Sequence, residues 1–360
     1  MFLRNIWYFA LPSADIAPGK LVGKTLLGEP VVFGRTKSGE TFALRDICPH
    51  RGVPLSAGRF VDKGDRAAGD TVDGPQIECP YHGWRFGKDG ACAAIPSLVP
   101  GQDFDLSKIR VQKYFTEERQ GNIWIYMPQD APLPGQAPAA PATAPPVLPG
   151  VDATAPPRLR DRMTFACHID HAVIGLMDPA HGPFVHKAWW WRSEASIHEK
   201  AKKFAPNDTG FTMVAHAPSS NSGAYKILGG KPVTEIAFRL PGVRTEHIQV
   251  GKHSVLGLTT VTPLEEEATE VTQTFYWTNP VWGLMKPIFA PMARTFLRQD
   301  HDMVMLQREG LKHNPRLMLI NDSDMQAKWY FRLKKTWDDA QEAGEAFVNP
   351  VKEATLRWRS

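Results

Sequence analysis

Two periods of apolar residues divide the chain. Over the first 127 residues, short apolar runs bounded by glycine or proline read as strands: Ile6 to Leu11, Val31 to Gly34, Thr41 to Arg45, Gln76 to Cys79 and Asn122 to Met127. Residues 128–158 interrupt this pattern with 10 of the chain's 31 prolines and few large apolar side chains. Such a segment is expected to cross the surface as a linker, building neither helix nor core. Alternation then returns in longer runs, Thr234 to Leu240, His247 to Leu264 and Glu270 to Asn279, which predict an antiparallel sheet. From Met292 to His313 the spacing becomes helical, and a further helix is expected over Ser323 to Glu345. The expected fold is α+β, with an all-β domain over 1–127, a Pro/Ala-rich linker over 128–158, and an antiparallel sheet with helices over 159–360.

Composition sets limits on function. A chain of 360 residues with 42% hydrophobic content suits two globular domains. Lysine and arginine number 42 against 38 acidic residues, with no run of five like charges, so neither a nucleic acid nor a membrane surface is expected as partner. The apolar run near the N-terminus is too short for the core of a leader or for a membrane span, which makes the cytoplasm the expected compartment. Four cysteines, at 48, 79, 92 and 167, are too few for a disulfide scaffold. The chain has no GxGxxG and no Walker loop, so no flavin, nicotinamide or nucleotide site is assigned.

Two of the cysteines stand beside histidines. Cys48-Pro-His50-Arg-Gly52 and Cys79-Pro-Tyr-His82-Gly83-Trp84 each offer one thiolate and one imidazole on a tight loop. A structural zinc ion can use two of each, but usually takes both cysteines from one knuckle and both histidines from another element. One of each per loop suits a two-iron cluster in which one iron takes Cys48 and Cys79 and the other takes His50 and His82, the Rieske arrangement. Gly52 and Gly83 would let backbone N–H groups approach the sulfides.

With these loops in place, the chain resembles the Rieske non-haem iron oxygenases, from the opening NIWYFAL to the C-terminal helix. It departs from them in the 28 residues between His50 and Cys79, where Asp62 to Pro75 reads as a surface loop. Asp178-x-x-His181-x4-His186 is similar to the family's iron-binding motif. Gly182-Pro183 could break the turn and swing His186 back toward His181. Ile174-Gly175 stand where many relatives carry Asp-Asn. Two histidines and one carboxylate make the facial triad that holds ferrous iron with positions left open. The family takes that carboxylate from a late helix, and here Asp300 and Asp302 both qualify. On a helical wheel Asp300 gathers with Met292, Phe296, Leu297, Met303 and Val304, while Asp302 falls with Arg298 and Glu309, so Asp300 is favoured.

The resemblance also implies a C-terminal sheet-and-helix domain of helix-grip type. It implies a role for Asp178 as the link between His82 of an adjacent chain and His181, hence a ring of three subunits. The cofactors implied are a [2Fe–2S] cluster and mononuclear Fe(II), with O2 as co-substrate and NAD(P)H used only through a partner reductase, with or without a ferredoxin. The implied activity is that of a terminal oxygenase that hydroxylates an aromatic compound or removes its O- or N-methyl group. A ring-dihydroxylating enzyme and a Rieske electron carrier are the alternatives. Trp189-Trp190-Trp191 are expected to pack or to meet a neighbouring subunit, Cys92 and Cys167 to be buried, and His168, His171 and His301 to be hydrogen-bonded or exposed.

Overall fold

The computed structural model of the chain describes residues 1–61, 74–130, 140–186, 197–218 and 230–360. Most of the Asp62–Pro75 loop and the Trp189–Trp191 run lie outside them. The chain divides into two compact units, Phe2–Val147 with Asp152–Ala155, and Leu148–Val151 with Pro156–Ser360.

The N-terminal unit is built from two antiparallel sheets. The larger runs in the order β1 (Ile6–Pro12), β10 (Asn122–Met127), β9 (Lys113–Arg119), β4 (Thr41–Arg45), β3 (Glu29–Arg35) and β2 (Leu21–Leu26). All seven residues of β1 are buried, and Phe9 meets Trp124 of β10 edge to face at 6.0 Å. The smaller sheet runs β5 (Arg59–Val61), β6 (Gln76–Glu78), β7 (Arg85–Gly87) and β8 (Cys92–Ala94). Both Cys/His loops rise from one apolar cluster that contains Cys48, Cys79, Cys92, Phe86 and Ile77. The proline-rich segment has no helix or strand among its described residues. It is nevertheless fastened: Thr143 O accepts from Trp7 Nε1 at 2.7 Å, and Ala153 O accepts from Gln120 N–H at 2.6 Å. Leu148 is buried, contrary to the expectation that this stretch adds nothing to a core. Proline forbids regular hydrogen bonding but does not prevent a lone leucine from burying its side chain.

The C-terminal unit is one eight-stranded antiparallel sheet with helices packed on it. Its order is β11 (Leu159–Phe165), β17 (Ala268–Trp277), β16 (His253–Glu265), β15 (Val243–Val250), β14 (Val233–Arg239), β13 (Gly210–His216), β12 (Glu199–Pro206) and β18 (Ala354–Arg359). Gly251, at φ +59°, opens the two-residue turn that joins β15 to β16. Helix α1 (Ile169–Met177) and the single turn α2 (Gly182–Val185) follow β11, while α3 (Lys286–Leu311) and α4 (Met325–Ala343) follow the last hairpin. Helix α4 seals the β12–β14 end, where Trp329 meets Phe204 and Phe211 and Tyr330 meets Phe238 at 5.2–5.8 Å. Asp170 ties α1 to α4 by accepting from Tyr330 Oη at 2.7 Å and Lys334 Nζ at 2.6 Å. Helix α3 packs against β11, α1 and α2, and this brings its middle turns to the histidines. Among the described residues no helix is long and apolar enough to cross a membrane.

Candidate metal centres

The two Cys/His loops have the same backbone design. In the first, Cys48 N–H donates to Val53 O and Gly52 N–H donates to Cys48 O, at 2.9 and 2.8 Å. In the second, Cys79 N–H donates to Trp84 O and Gly83 N–H donates to Cys79 O, at 2.8 and 3.1 Å. Each loop therefore closes a five-residue reach on its cysteine, and each needs a left-handed residue to do so: Gly52 has φ +73° and Gly83 φ +71°. The base of the second loop is fixed by Glu78, which accepts from Arg59 Nε at 2.7 Å and Arg85 Nε at 2.8 Å.

Inside this frame the thiols are buried and the imidazoles face outward. Cys48 and Cys79 are 2% and 3% exposed, whereas His50 is half-buried and His82 is exposed. Burial, and then the neighbouring Cys79 thiol, raise the pKa of Cys48. Partial desolvation, His82 and Arg51 lower that of His50, which favours the neutral imidazole a metal needs. The His50 and His82 rings are 4.6 Å apart, and Trp84 stacks on His50 at 4.6 Å with an interplanar angle of 7°. A tetrahedral zinc site would gather all four donors about one point. Among the described residues, however, the one set of three or more such donors within 4.8 Å of one another is His181, His186 and Asp300. Buried sulfurs with histidines at the rim fit a group with two ends, as a two-iron cluster has.

The second site forms where α1 ends. From the sequence, Gly182-Pro183 could break the turn and swing His186 back; in the structure these two residues start a turn instead. Asp178 caps α1 in an extended conformation (φ −61°, ψ 120°), and its Oδ1 accepts from Ala180 N–H at 2.7 Å. Gly182-Pro183 opens the turn α2, because a proline in the first turn lacks only an N–H that would have no partner there. His181 and His186 are the two caps of that turn, so residues five apart come to face each other. Their Nε2 atoms are 3.1 Å apart, and Asp300 Oδ1 lies 3.5 Å from His181 Nε2 and 3.3 Å from His186 Nε2. Ligands at about 2.1 Å on adjacent corners of an octahedron stand about 3 Å apart, so this triangle fits one face of a six-coordinate ion.

The carboxylates around His181 favour a positive charge there, whether a proton or a metal ion that displaces it. Burial alone would lower the His181 pKa, but Asp178 and Asp300 outweigh it and push it up to about 9. At 3.6 Å Asp178 Oδ2 is a charge neighbour of His181 Nδ1 rather than its acceptor, and that buried nitrogen has no hydrogen-bond partner. With Nε2 given to a metal, Nδ1 would carry the proton and Asp178 would be the carboxylate within reach. The side chain of Asp300 is 14% exposed and that of Asp302 57%, the latter pairing with His301 Nδ1 at 3.1 Å. Met303, grouped with Asp300 on the wheel, is exposed. The buried face centres on Leu297 and Val304, to one side of Asp300, and Met303 falls on the other. His168 caps α1 by accepting from Asp170 N–H at 3.2 Å, while Cys92 and Cys167 are buried. No spacing or motif signals Trp84 on His50, or Gln299 Oε1 at 3.0 Å from His186 Nδ1.

Comparison with known proteins bears on both sites. Residues 6–114 match the Rieske [2Fe-2S] domain. The oxygenase component of dicamba O-demethylase from Stenotrophomonas maltophilia is 31% identical over 191 residues, 52% of this chain and 48% of that protein. Chlorophyllide a oxygenase, chloroplastic, from Arabidopsis thaliana is 29% identical over 186 residues, 51% of this chain and 29% of that one. The chain thus spans less than half the length of each of these relatives. The crystal structure of dicamba monooxygenase bound to dicamba matches with a TM-score of 0.70 at 22% identity, over 95% of this chain and 99% of that one, a likeness of fold. Residues 6–114 are thus a Rieske [2Fe–2S] domain, and the chain resembles Rieske oxygenase components in sequence over about half its length and in fold over nearly all of it.

Proposed function

We propose that the chain is the terminal oxygenase component of a multicomponent Rieske non-haem iron monooxygenase that hydroxylates an aromatic compound or removes its O- or N-methyl group. In this reading residues 1–127 form the cluster domain, 128–158 the connecting segment and 159–360 the catalytic domain. Cys48 and Cys79 hold one iron of the cluster, His50 and His82 the other, and His181, His186 and Asp300 hold a mononuclear Fe(II). The carrying observation is that one chain holds both a Rieske domain and a separate, partly buried triangle of two imidazoles and a carboxylate. A Rieske electron carrier has no use for the second.

When bound, the cluster would supply electrons one at a time and the mononuclear iron the chemistry of O2. The protein's own groups do the rest. The buried Cys48 and Cys79 would hold a bound cluster away from water, and the outward His50 and His82 would offer it an edge for electron exchange. Asp178 is held by Ala180 N–H through one oxygen, leaving the other directed at His181 Nδ1. From there it would join His181 to His82 of the partner subunit in a homotrimer. Electrons come from a separate reductase, with or without a ferredoxin, and the compartment is the cytoplasm.

The test is turnover of the purified iron-loaded chain with NADH and a surrogate reductase against methoxylated, N-methylated and unsubstituted aromatic acids. Formaldehyde release with consumption of O2 is the expected result. Cluster reduction without any product across such a panel would favour an electron carrier.

A further inference from the structure

We infer that Gln299 is a positioning residue for the mononuclear site, the acceptor that sets the tautomer of His186 and so presents its Nε2 to the metal. The inference rests on the metal-centre reading above and extends it to a residue outside the ligand set.

Gln299 and Asp300 are consecutive on α3, about 100° apart around the helix, yet both reach the same imidazole. Asp300 Oδ1 lies 3.3 Å from His186 Nε2, and Gln299 Oε1 lies 3.0 Å from His186 Nδ1. The two ends of the ring are therefore held by neighbouring side chains of one rigid element. The phenyl ring of Phe296, one turn earlier, meets the imidazole edge to face at 4.6 Å and 84°. For Nε2 to offer its lone pair, Nδ1 must carry the hydrogen, and a hydrogen on Nδ1 needs an acceptor. An amide oxygen is one, and it adds no charge to a site where two carboxylates already crowd His181. The two histidines thus differ. Nδ1 of His186 has an acceptor at hydrogen-bond distance, while Nδ1 of His181 has only Asp178 at 3.6 Å. His186 is the pre-set ligand, on which the triangle is built.

The experiment uses the full chain with its [2Fe–2S] cluster intact, stripped of mononuclear metal and titrated with Co(II). Wild type is expected to bind one Co(II), and His186→Ala to lose it. If wild type binds none, the metal-centre reading falls, and this inference with it. Gln299→Leu keeps the bulk and removes the acceptor. It should bind Co(II) about 10–100-fold more weakly, the range expected for a partner behind a ligand. It should also lose the hyperfine-shifted, exchangeable Nδ1–H resonance of His186 that the wild-type Co(II) form shows. Gln299→Glu offers a stronger acceptor at the same place and should shift that resonance further downfield. Unchanged affinity in Gln299→Leu, or weaker binding with the resonance intact, overturns the role of Gln299 while leaving the metal centre standing. Should Gln299→Leu not fold, Gln299→Glu decides alone, since an unmoved resonance there overturns the inference too.

Discussion

His181 and His186 cap the two ends of one helical turn, and this places their Nε2 atoms 3.1 Å apart. At that distance either one ring donates N–H to the other or both nitrogens turn their lone pairs on a cation, and a carboxylate beside them favours the cation. The carboxylate is Asp300, and its removal should abolish mononuclear metal binding. Since even partners behind a ligand are worth about 10–100-fold, loss of a ligand should exceed about 100-fold in affinity. Asp300→Ala is expected to keep the red-brown cluster spectrum and lose the third iron by metal analysis. Asp302→Ala, altering an exposed side chain, should keep both.

The paired glycines allow a graded test of the cluster loops. Among the protein atoms described, alanine at Gly52 meets nothing within 4 Å, so its cost to the polypeptide is that of the left-handed backbone, roughly 1–2 kcal/mol. At Gly83 the same backbone penalty is joined by contact of the new methyl with Pro96 Cγ at 3.2 Å. Gly83→Ala should therefore melt at a lower temperature than Gly52→Ala, and retain less cluster. Equal melting of the two variants would mean that Pro96 yields freely.

What could be read from the sequence follows from the range of the forces involved. Thr41–Arg45 and Asn122–Met127 are strands with the expected ends because alternation and flanking residues are local signals. The Cys/His spacings are local too, since ligands on one tight loop must be near in sequence. Strand β18 gave no such signal: its partner β12 lies about 150 residues away, and only folding of the whole sheet pairs Glu199 with Arg359. Helix α1 is only nine residues long, too few turns for its apolar positions, Ile169, Ala172, Val173 and Met177, to stand out as a helical period. Gln299 could not be found from spacing at all. A neutral amide beside an aspartate carries no pattern until the fold shows which ring it faces.

Cys167 offers a test of burial by pH. Its thiol is shielded by burial first and by the nearby Glu267 carboxylate second, which raise its pKa from near 9 to about 11. At pH 8 the folded protein should carry about 100-fold less Cys167 thiolate than the unfolded chain, and alkylation should be slowed at least as much. The sign for stability follows from proton counts. Between pH 9 and 11 the unfolded chain releases this proton and the folded one keeps it, so the contribution of the protonated thiol is complete below about pH 9 and is lost as pH rises through about 11. Mass-resolved iodoacetamide labelling across this range, with and without denaturant, checks both statements. Rapid native labelling of Cys167 at pH 8 would contradict its burial.

Asp178 is the sharpest probe of the proposed electron route, because the metal triangle is complete without it. Asp178→Asn keeps an oxygen to accept from Ala180 N–H, so the turn that presents His181 should survive. It removes the negative charge beside His181 Nδ1, and with it the reason for that nitrogen to stay protonated toward a neighbour. Both iron centres should therefore be found at wild-type content, while turnover and re-oxidation of the reduced cluster slow by about 10–100-fold. If the link joins His82 of the partner subunit to His181, a second result follows from symmetry. Asp178→Asn chains and His82→Ala chains, each nearly inactive alone, should regain activity when mixed into hybrid trimers, because some interfaces then pair an intact His82 with an intact Asp178. Verified hybrids that stay inactive would assign the transfer to a path within one chain. Normal re-oxidation in Asp178→Asn would leave that carboxylate with only the tautomer of His181 to explain it.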